Sequence, residues 1–223
     1  MIDQFTEMDP KHIFVREFEK DDGSILKINQ YEIGDVGCVV WDAALVLSSF
    51  LETGNLRKYY ADKPLSTCTV IELGAGTGIV GLELASLGAN VIVTDLEEFV
   101  PLLKMNVDAN ENLLAAGSAA VRTLKWGQDL SPEFERPDLI FMADCIYYEE
   151  SLEPLVKTIK DLCRADTCVF CCFEQRTTGN KPELERRFLE LIGENFTIDT
   201  IPHRDHHVNF TSSDIQILKF SPT

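Results

Sequence analysis

The chain has 223 residues, enough for one α/β domain with a small extension. Its 37 acidic against 20 basic side chains give a net charge of −17, which argues against nucleic acid as a partner, because phosphate binding needs a basic patch. No apolar run reaches the ~18 residues of a membrane span, and the acidic start MIDQFTEMDPKHIF lacks the apolar stretch of a secretory signal, so neither a membrane partner nor export is expected.

The predicted elements follow in chain order. Residues 1–13 are polar and expected to be flexible. Residues 14–19 and 24–31 alternate apolar and polar around the turn Asp21-Asp22-Gly23, which predicts a β-hairpin, an accessory to form part of a substrate wall. The segment GCVVWDAA leads into a helix at 42–51, and 53–67 reads as a loop. Thr69–Leu73 is an apolar strand, and Gly74, Gly76 and Gly78 form a turn. A helix begins at Ile79 and stops at Gly88, and NVIVTD at 90–95 is a second strand. A helix is expected over 96–112 and a strand over 119–124, with a polar loop at 128–136. The run PDLIFMAD at 137–144 is apolar enough for a central strand buried on both faces. A helix over 151–163 has Ser151 as its cap, a strand covers 167–175 and an amphipathic helix 182–192. Strands at 196–202 and 214–220 close the chain as an antiparallel pair. This alternation predicts one doubly wound domain over 14–223.

Ligands of such sheets bind beyond the carboxyl ends of the strands. That rule selects Glu72 to Gly78, Asp95, Trp126 and the segment from Ala143 to Tyr148. Glycines let a backbone approach a ligand closely, and the next helix offers free N–H groups to an anion. Asp95 follows the first glycine by about 20 residues, the spacing of a ribose-binding acid. It is also placed to cap the helix after it. Gly76-x-Gly78-x-x-Gly81 satisfies a dinucleotide fingerprint, so a nicotinamide cofactor is one reading. Glu72, two residues before the first glycine, instead resembles motif I of class I S-adenosyl-L-methionine (SAM) methyltransferases. Glu72 is placed to hold loop amides or, indirectly, the donor's amino group. The antiparallel last strand favours the methyltransferase reading over the nicotinamide one.

Asp144 and Tyr147 at the tip of the fourth core strand are suited to receive an amine. A carboxylate binds and orients it, and an aromatic face makes an apolar wall that tolerates a cation. Asp144 is equally placed to cap the loop. Trp126 lies where an adenine ring would stack or where a rim aromatic would sit, and core packing is the default for Trp41. Seven cysteines, mostly in apolar runs, suit buried thiols in a reducing cytoplasm. Cys168 and Cys171 are three apart on a strand and face opposite sides, so they are not expected to share a metal. The run His203 to His207 is expected to be a solvated loop, and no metal site is expected.

The segments GCVVWDAA, ELGAGTGIVGL, VIVTDLEE, LLKMNV, LKWG, MADCIYYEESLEPL and CCFEQR resemble family 16 methyltransferases, seven-stranded protein-lysine methyltransferases, over about residues 14–220. The similarity extends to the branch that methylates a lysine of valosin-containing protein, an AAA ATPase chaperone. It implies a Rossmann-like α/β fold, a seven-stranded class I methyltransferase sheet with an antiparallel final strand, preceded by the N-terminal β-hairpin. It implies SAM as donor, S-adenosyl-L-homocysteine as product and a protein lysine as acceptor, in a monomer. By the same resemblance Trp41, Gly74, Ala75, Gly76, Asp95, Trp126 and Ala143 contact SAM, and Asp144 and Tyr147 form the catalytic acid-x-x-aromatic pair. The segments 55–66 and 202–213 diverge from the family and are where partner choice would differ. Two other functions remain open on the residues: a nicotinamide-dependent oxidoreductase, and a binding module that holds SAM or a chaperone client without catalysis.

Overall fold

A computed structural model describes residues 9–60, 63–114, 116–132, 134 and 136–223. Of the start expected to be flexible, residues 1–8 lie outside the described residues, as do single positions in the loops 53–67 and 128–136. Pro10–His12 form a 3-10 turn, with the carboxylate of Asp9 accepting the Lys11 N–H.

Strands β1 (Ile13–Glu19) and β2 (Ile25–Tyr31) pair antiparallel as the predicted hairpin. Seven further strands form one sheet. They are β3 (Thr69–Leu73), β4 (Asn90–Asp95), β5 (Ser118–Thr123), β6 (Leu139–Ala143), β7 (Cys168–Glu174), β8 (Phe196–Ile201) and β9 (Ile215–Pro222). Their spatial order is β5-β4-β3-β6-β7-β9-β8. Ladders β5-β4-β3-β6-β7 are parallel, and β9 runs antiparallel between β7 and β8. The chain order reverses between β3 and β6, so the crevice that takes a ligand opens there.

Helices α1 (Asp42–Glu52), α2 (Ile79–Ser86) and α3 (Val100–Ala109) cover one face. Helices α4 (Glu149–Leu162) and α5 (Lys181–Gly193) cover the other. The continuous apolar run of β6 is explained by this double cover. Leu139 and Phe141 pack under the first group, Ile140 and Met142 under the second. Cys168 and Cys171 on β7 face opposite layers in the same way. No group of three or more potential metal ligands occurs among the described residues.

Several boundaries differ from expectation for local reasons. The helix expected over 96–112 is a 3-10 turn (Glu97–Phe99), then α3, then a second 3-10 turn (Glu111–Leu113). Pro101 in its first turn suits the start of α3. Helix α4 begins two residues before Ser151, which is not its cap. The acids Glu149 and Glu150 occupy the favourable first turn, and the Ser151 hydroxyl donates to the Tyr148 carbonyl at 2.7 Å. Helix α2 ends as expected at Gly88, where the Ala89 and Gly88 N–H groups donate to the carbonyls of Leu84 and Ala85.

The hairpin is tied to the core by polar bonds that periodicity does not reveal. The Asn110 and Asn106 side chains accept the Lys27 and Asn29 N–H groups at 2.8 and 2.7 Å, completing the outer edge of β2. Lys20 and Glu83, both buried, form an ion pair at 3.0 Å. The two strands themselves supply no residue to the central cavity; the segment after them does. The hairpin expected as a substrate wall does not border this cavity; the chain around Val36 does.

The His203 to His207 run is only in part the solvated loop expected: His203 and Arg204 are exposed in a 3-10 turn. His206 and His207 are buried, the first packing edge-on against Phe50 and donating through Nε2 to the Ile201 carbonyl at 3.2 Å. His207 Nε2 lies 3.2 Å from Asp21 in the hairpin turn. Asp205 accepts from the Tyr59 hydroxyl and from Lys58, and its carbonyl accepts from the Asn55 side chain at 2.8 Å. The two divergent segments of the sequence thus pack on each other.

Candidate active site

One cleft runs over the carboxyl ends of β3, β4 and β6. It has two adjoining chambers of about 220 and 320 Å³ that share Gly74, Asp95, Tyr147 and Tyr148 among their walls. Cavities of this size are typical of small-molecule sites.

The loop after β3 turns through positive φ at Gly74, Gly76 and Gly78. At Gly74 a Cβ would stand 2.8 Å from both Trp126 Cζ2 and Cys145 Sγ, so the glycine keeps the passage between the chambers open. Gly81, one turn into α2, serves packing: a Cβ there would meet Val93 at 2.2 Å and Glu72 Oε2 at 2.6 Å. That close approach lets Glu72 Oε2 accept the Gly81 N–H at 2.8 Å. The dinucleotide-like spacing from Gly76 to Gly81 therefore reflects helix-on-strand contact. Complete burial raises the Glu72 carboxyl to about 8, against the lowering effect of the Gly81 bond.

Asp95 ends β4 with both oxygens engaged. Oδ2 accepts the Gly76 N–H and Oδ1 the Leu96 N–H, each at 2.7 Å. Burial still pushes its carboxyl up to about 6. It does not cap α3, which starts five residues later behind a 3-10 turn.

Trp41 precedes α1 and is 40% exposed, so it is a wall of the inner chamber and not a core residue. Its indole N–H donates to the Val36 carbonyl at 2.8 Å, which fixes the ring. Trp126, half-buried, lines the outer chamber beside Leu96 and Phe99.

Asp144 follows β6 and is the one non-glycine with positive φ among the described residues, at 54°. The left-handed turn stores strain of the kind that collects at functional sites. Burial raises its carboxyl above the ordinary value, and the Arg176 guanidinium opposes that rise. Arg176 Nη2 donates to Asp144 Oδ2 at 2.7 Å, and the Glu174 N–H donates to Oδ1 at 3.3 Å. Tyr147 borders both chambers, and its ring meets that of Tyr148 edge-on at 4.6 Å between centroids. Desolvation drives the Tyr147 phenol well above its usual value, so it stays neutral.

All ten singled-out residues line the cleft: Trp41, Glu72, Gly74, Ala75, Gly76, Asp95, Trp126, Ala143, Asp144 and Tyr147. Leu73, Gly78 and Ile146, inside the selected segments, do not. Sequence reasoning missed Val36, Gly37, Phe99, Arg176 and Lys181. The strand-end rule, applied to β7 as it was to β3, β4 and β6, would have found Arg176.

The residues fit an adenosyl donor. The cleft has a glycine passage that a Cβ would fill, a strand-end carboxylate for hydroxyl groups, and two indoles at its walls.

The sequence profile of the lysine methyltransferase family matches residues 20–195. Mouse protein N-lysine methyltransferase METTL21A is 38% identical over 180 residues, covering 78% of this chain and 76% of the relative. Bovine protein-lysine methyltransferase METTL21E is 35% identical over 188 residues, 82% of this chain and 59% of the relative. Among solved structures, the Thermus thermophilus 16S rRNA N2 G1207 methyltransferase RsmC, in complex with AdoMet and guanosine, superposes with a TM-score of 0.63. It is 19% identical and covers 96% of this chain and 52% of that one. The glycopeptide N-methyltransferase MtfA with sinefungin gives 0.59 at 11% identity, covering 79% and 94%. At such identities the structures speak for the fold, and the sequence matches for the family. The chain belongs to the lysine methyltransferase family, enzymes that take a methyl group from S-adenosyl-L-methionine.

Proposed function

We propose that this enzyme methylates the ε-amine of a lysine on a partner protein, with the donor in the two-chambered cleft and the acceptor lysine at Asp144 and Tyr147. The observation that carries this reading is the strained turn at Asp144, which brings a nearly buried carboxylate into the same cavity as the glycine loop.

Bound SAM supplies an electrophilic methyl group on a good leaving group. The chain's own task is alignment. Asp95 accepts the donor's ribose hydroxyls, and the glycine passage admits its chain. Trp126 offers a face to the adenine and Trp41 closes the inner end. Glu72 holds the start of α2 in place through Gly81 and sits near the donor's ammonium. A free lysine ammonium has a pKa of about 10.4, so it must lose a proton before its lone pair is available. Asp144 draws in the ammonium and orients it beside the Tyr147 wall; the positive charge of the bound donor would lower the amine's pKa, and the proton leaves to water at the mouth of the cleft. The amine nitrogen then forms the new N–CH₃ bond as the S–CH₃ bond breaks, the electron pair remaining on sulfur in S-adenosyl-L-homocysteine.

For the acceptor, the sequence resemblance favours a valosin-containing-protein-like AAA ATPase chaperone, and the net charge of −17 suits a basic target segment. We read the protein as a monomeric cytoplasmic enzyme with one catalytic domain over residues 14–223, without nucleic-acid or membrane partners. Family membership sets aside the nicotinamide reading. The test is incubation of a lysate and of the purified chaperone with labelled SAM and the enzyme, followed by mass spectrometry. Label on a chaperone lysine, absent with Asp144→Asn, supports the proposal. Label on another protein overturns the partner, and no transfer at all leaves the non-catalytic binding module.

A further inference from the structure

Asp144 is already occupied. Arg176, two residues past the end of β7, places Nη2 on Asp144 Oδ2 at 2.7 Å and Nε on Glu174 Oε2 at 2.9 Å. Its guanidinium carbon stands 5.4 Å from the centre of the Trp41 ring. A carboxylate, an aromatic face and a half-open mouth are what a cationic side chain needs, and a cationic side chain of the protein itself fills the place. Asp144 and Glu174 face one guanidinium here, and the nearby Lys181 ammonium is held on the Tyr147 carbonyl at 2.7 Å and not on either acid. The two bonds of Arg176 are made by different nitrogens to different acids. A rotation that keeps the Nε–Glu174 bond therefore frees Asp144 without leaving the guanidinium unpaired. Glu174 is on the more exposed side of the pair, its side chain 38% accessible against 9% for Asp144, so the displaced group moves towards solvent.

We propose that Arg176 is a resident counter-ion of the lysine subsite: it holds Asp144 until the target ammonium enters, and then retires onto Glu174. This rests on the assignment of Asp144 to the substrate amine. Arg176 is thus a specificity-determining residue. Stray small cations must compete with a tethered guanidinium, and only an ammonium delivered by a docked partner displaces it. The contact with Trp41 places the guanidinium against a wall of the same chamber that holds Asp144 and the glycine loop.

The test is a double-mutant cycle read by ligand-observed NMR, with n-butylammonium as the probe for a lysine side chain and S-adenosyl-L-homocysteine present at saturation. Arg176→Gln is expected to tighten n-butylammonium binding at least about fivefold, and to change nothing in an Asp144→Asn background. Weaker binding in Arg176→Gln identifies a mere brace for the strained turn and overturns the proposal. An equal gain in the Asp144→Asn background identifies a general field effect and also overturns it. If Asp144→Asn alone leaves n-butylammonium binding untouched, the assignment of Asp144 itself fails, separately from the role of Arg176. Should Arg176→Gln not fold, Arg176→Lys replaces it in the same cycle. A single ammonium cannot bridge both acids as the fork does, so the same signs are expected at about twofold.

Discussion

Asp95 Oδ2 accepts the backbone N–H of Gly76 at 2.7 Å, so the acid that ends β4 and the glycine loop that follows β3 are one unit before any ligand arrives. The bond fixes the carboxylate at the seam of the two chambers, both of which Asp95 borders.

Asp95→Ala removes both the loop anchor and the acceptor for ribose hydroxyls. Hydrogen bonds to a charged group contribute ~1.5–3 kcal/mol, so SAM affinity should fall roughly 10- to 150-fold by calorimetry. Because burial places the Asp95 carboxyl at about 6, affinity in the native enzyme should decline as pH drops through about 6. In Asp95→Asn that decline should be absent. A pH-independent affinity in the native enzyme would remove Asp95 from the donor site.

Gly74→Ala places a methyl 2.8 Å from Trp126 and Cys145 at a φ of +60°. The conformation alone costs ~1–2 kcal/mol, and the methyl narrows the passage between the chambers. Thermal stability should drop by a few degrees and SAM affinity by at least about tenfold, a larger relative loss than for the acceptor protein. Unchanged donor affinity would mean that the passage is not used.

Asp144→Asn keeps the shape of the turn but removes the charge. Methyl transfer should fall by roughly 10²-fold or more, while the affinity for SAM changes by less than about threefold. Single-turnover kinetics at saturating donor separate the two. Comparable losses in both would show that Asp144 acts on the donor.

Glu72 is expected to make stability fall as pH rises. Its carboxyl has an ordinary value of 4.5 and is raised to about 8 in the folded chain. Between those limits the folded state binds more protons than the unfolded one, so the free energy of unfolding decreases with increasing pH. The contribution is on the order of a few kcal/mol at most, and Glu72→Gln should flatten the slope between pH 5 and pH 8 in calorimetric scans. An equal slope in both proteins would place the protons elsewhere.

Lys20→Met leaves Glu83 buried without its counter-charge. Breaking a buried pair in this way costs about 3 kcal/mol or more, measurable by urea unfolding. Adding Glu83→Met should recover part of the loss. If Lys20→Met is neutral, the Lys20–Glu83 pair does not hold the hairpin.

The alternation of strands and helices, the glycine turn and the strand-end acids were legible because each follows a local rule. The period of the apolar residues reports burial on one face or two, as the unbroken run of β6 shows. Asp95, Glu72 and Asp144 were found by one topological rule, that ligands gather at carboxyl strand ends. The same rule reaches Arg176, but nothing local in CCFEQR says that its guanidinium turns back to Asp144.

Other features depend on partners far apart in the chain. The starts of α3 and α4 were misjudged because proline, acids and preceding turns compete for the same few residues. The burial of His206 and His207 follows from Phe50 and Asp21, which sequence distance hides. The sequence by itself determined the fold class, the family and the strand-end residues that line the cleft, through patterns a few residues long. Only the tertiary structure decided that Trp41 is a cleft wall, that the hairpin is not, and that Asp144 is paired with Arg176. Those are contacts between side chains brought together by the sheet, and their energies depend on distance in space, not on position in the chain.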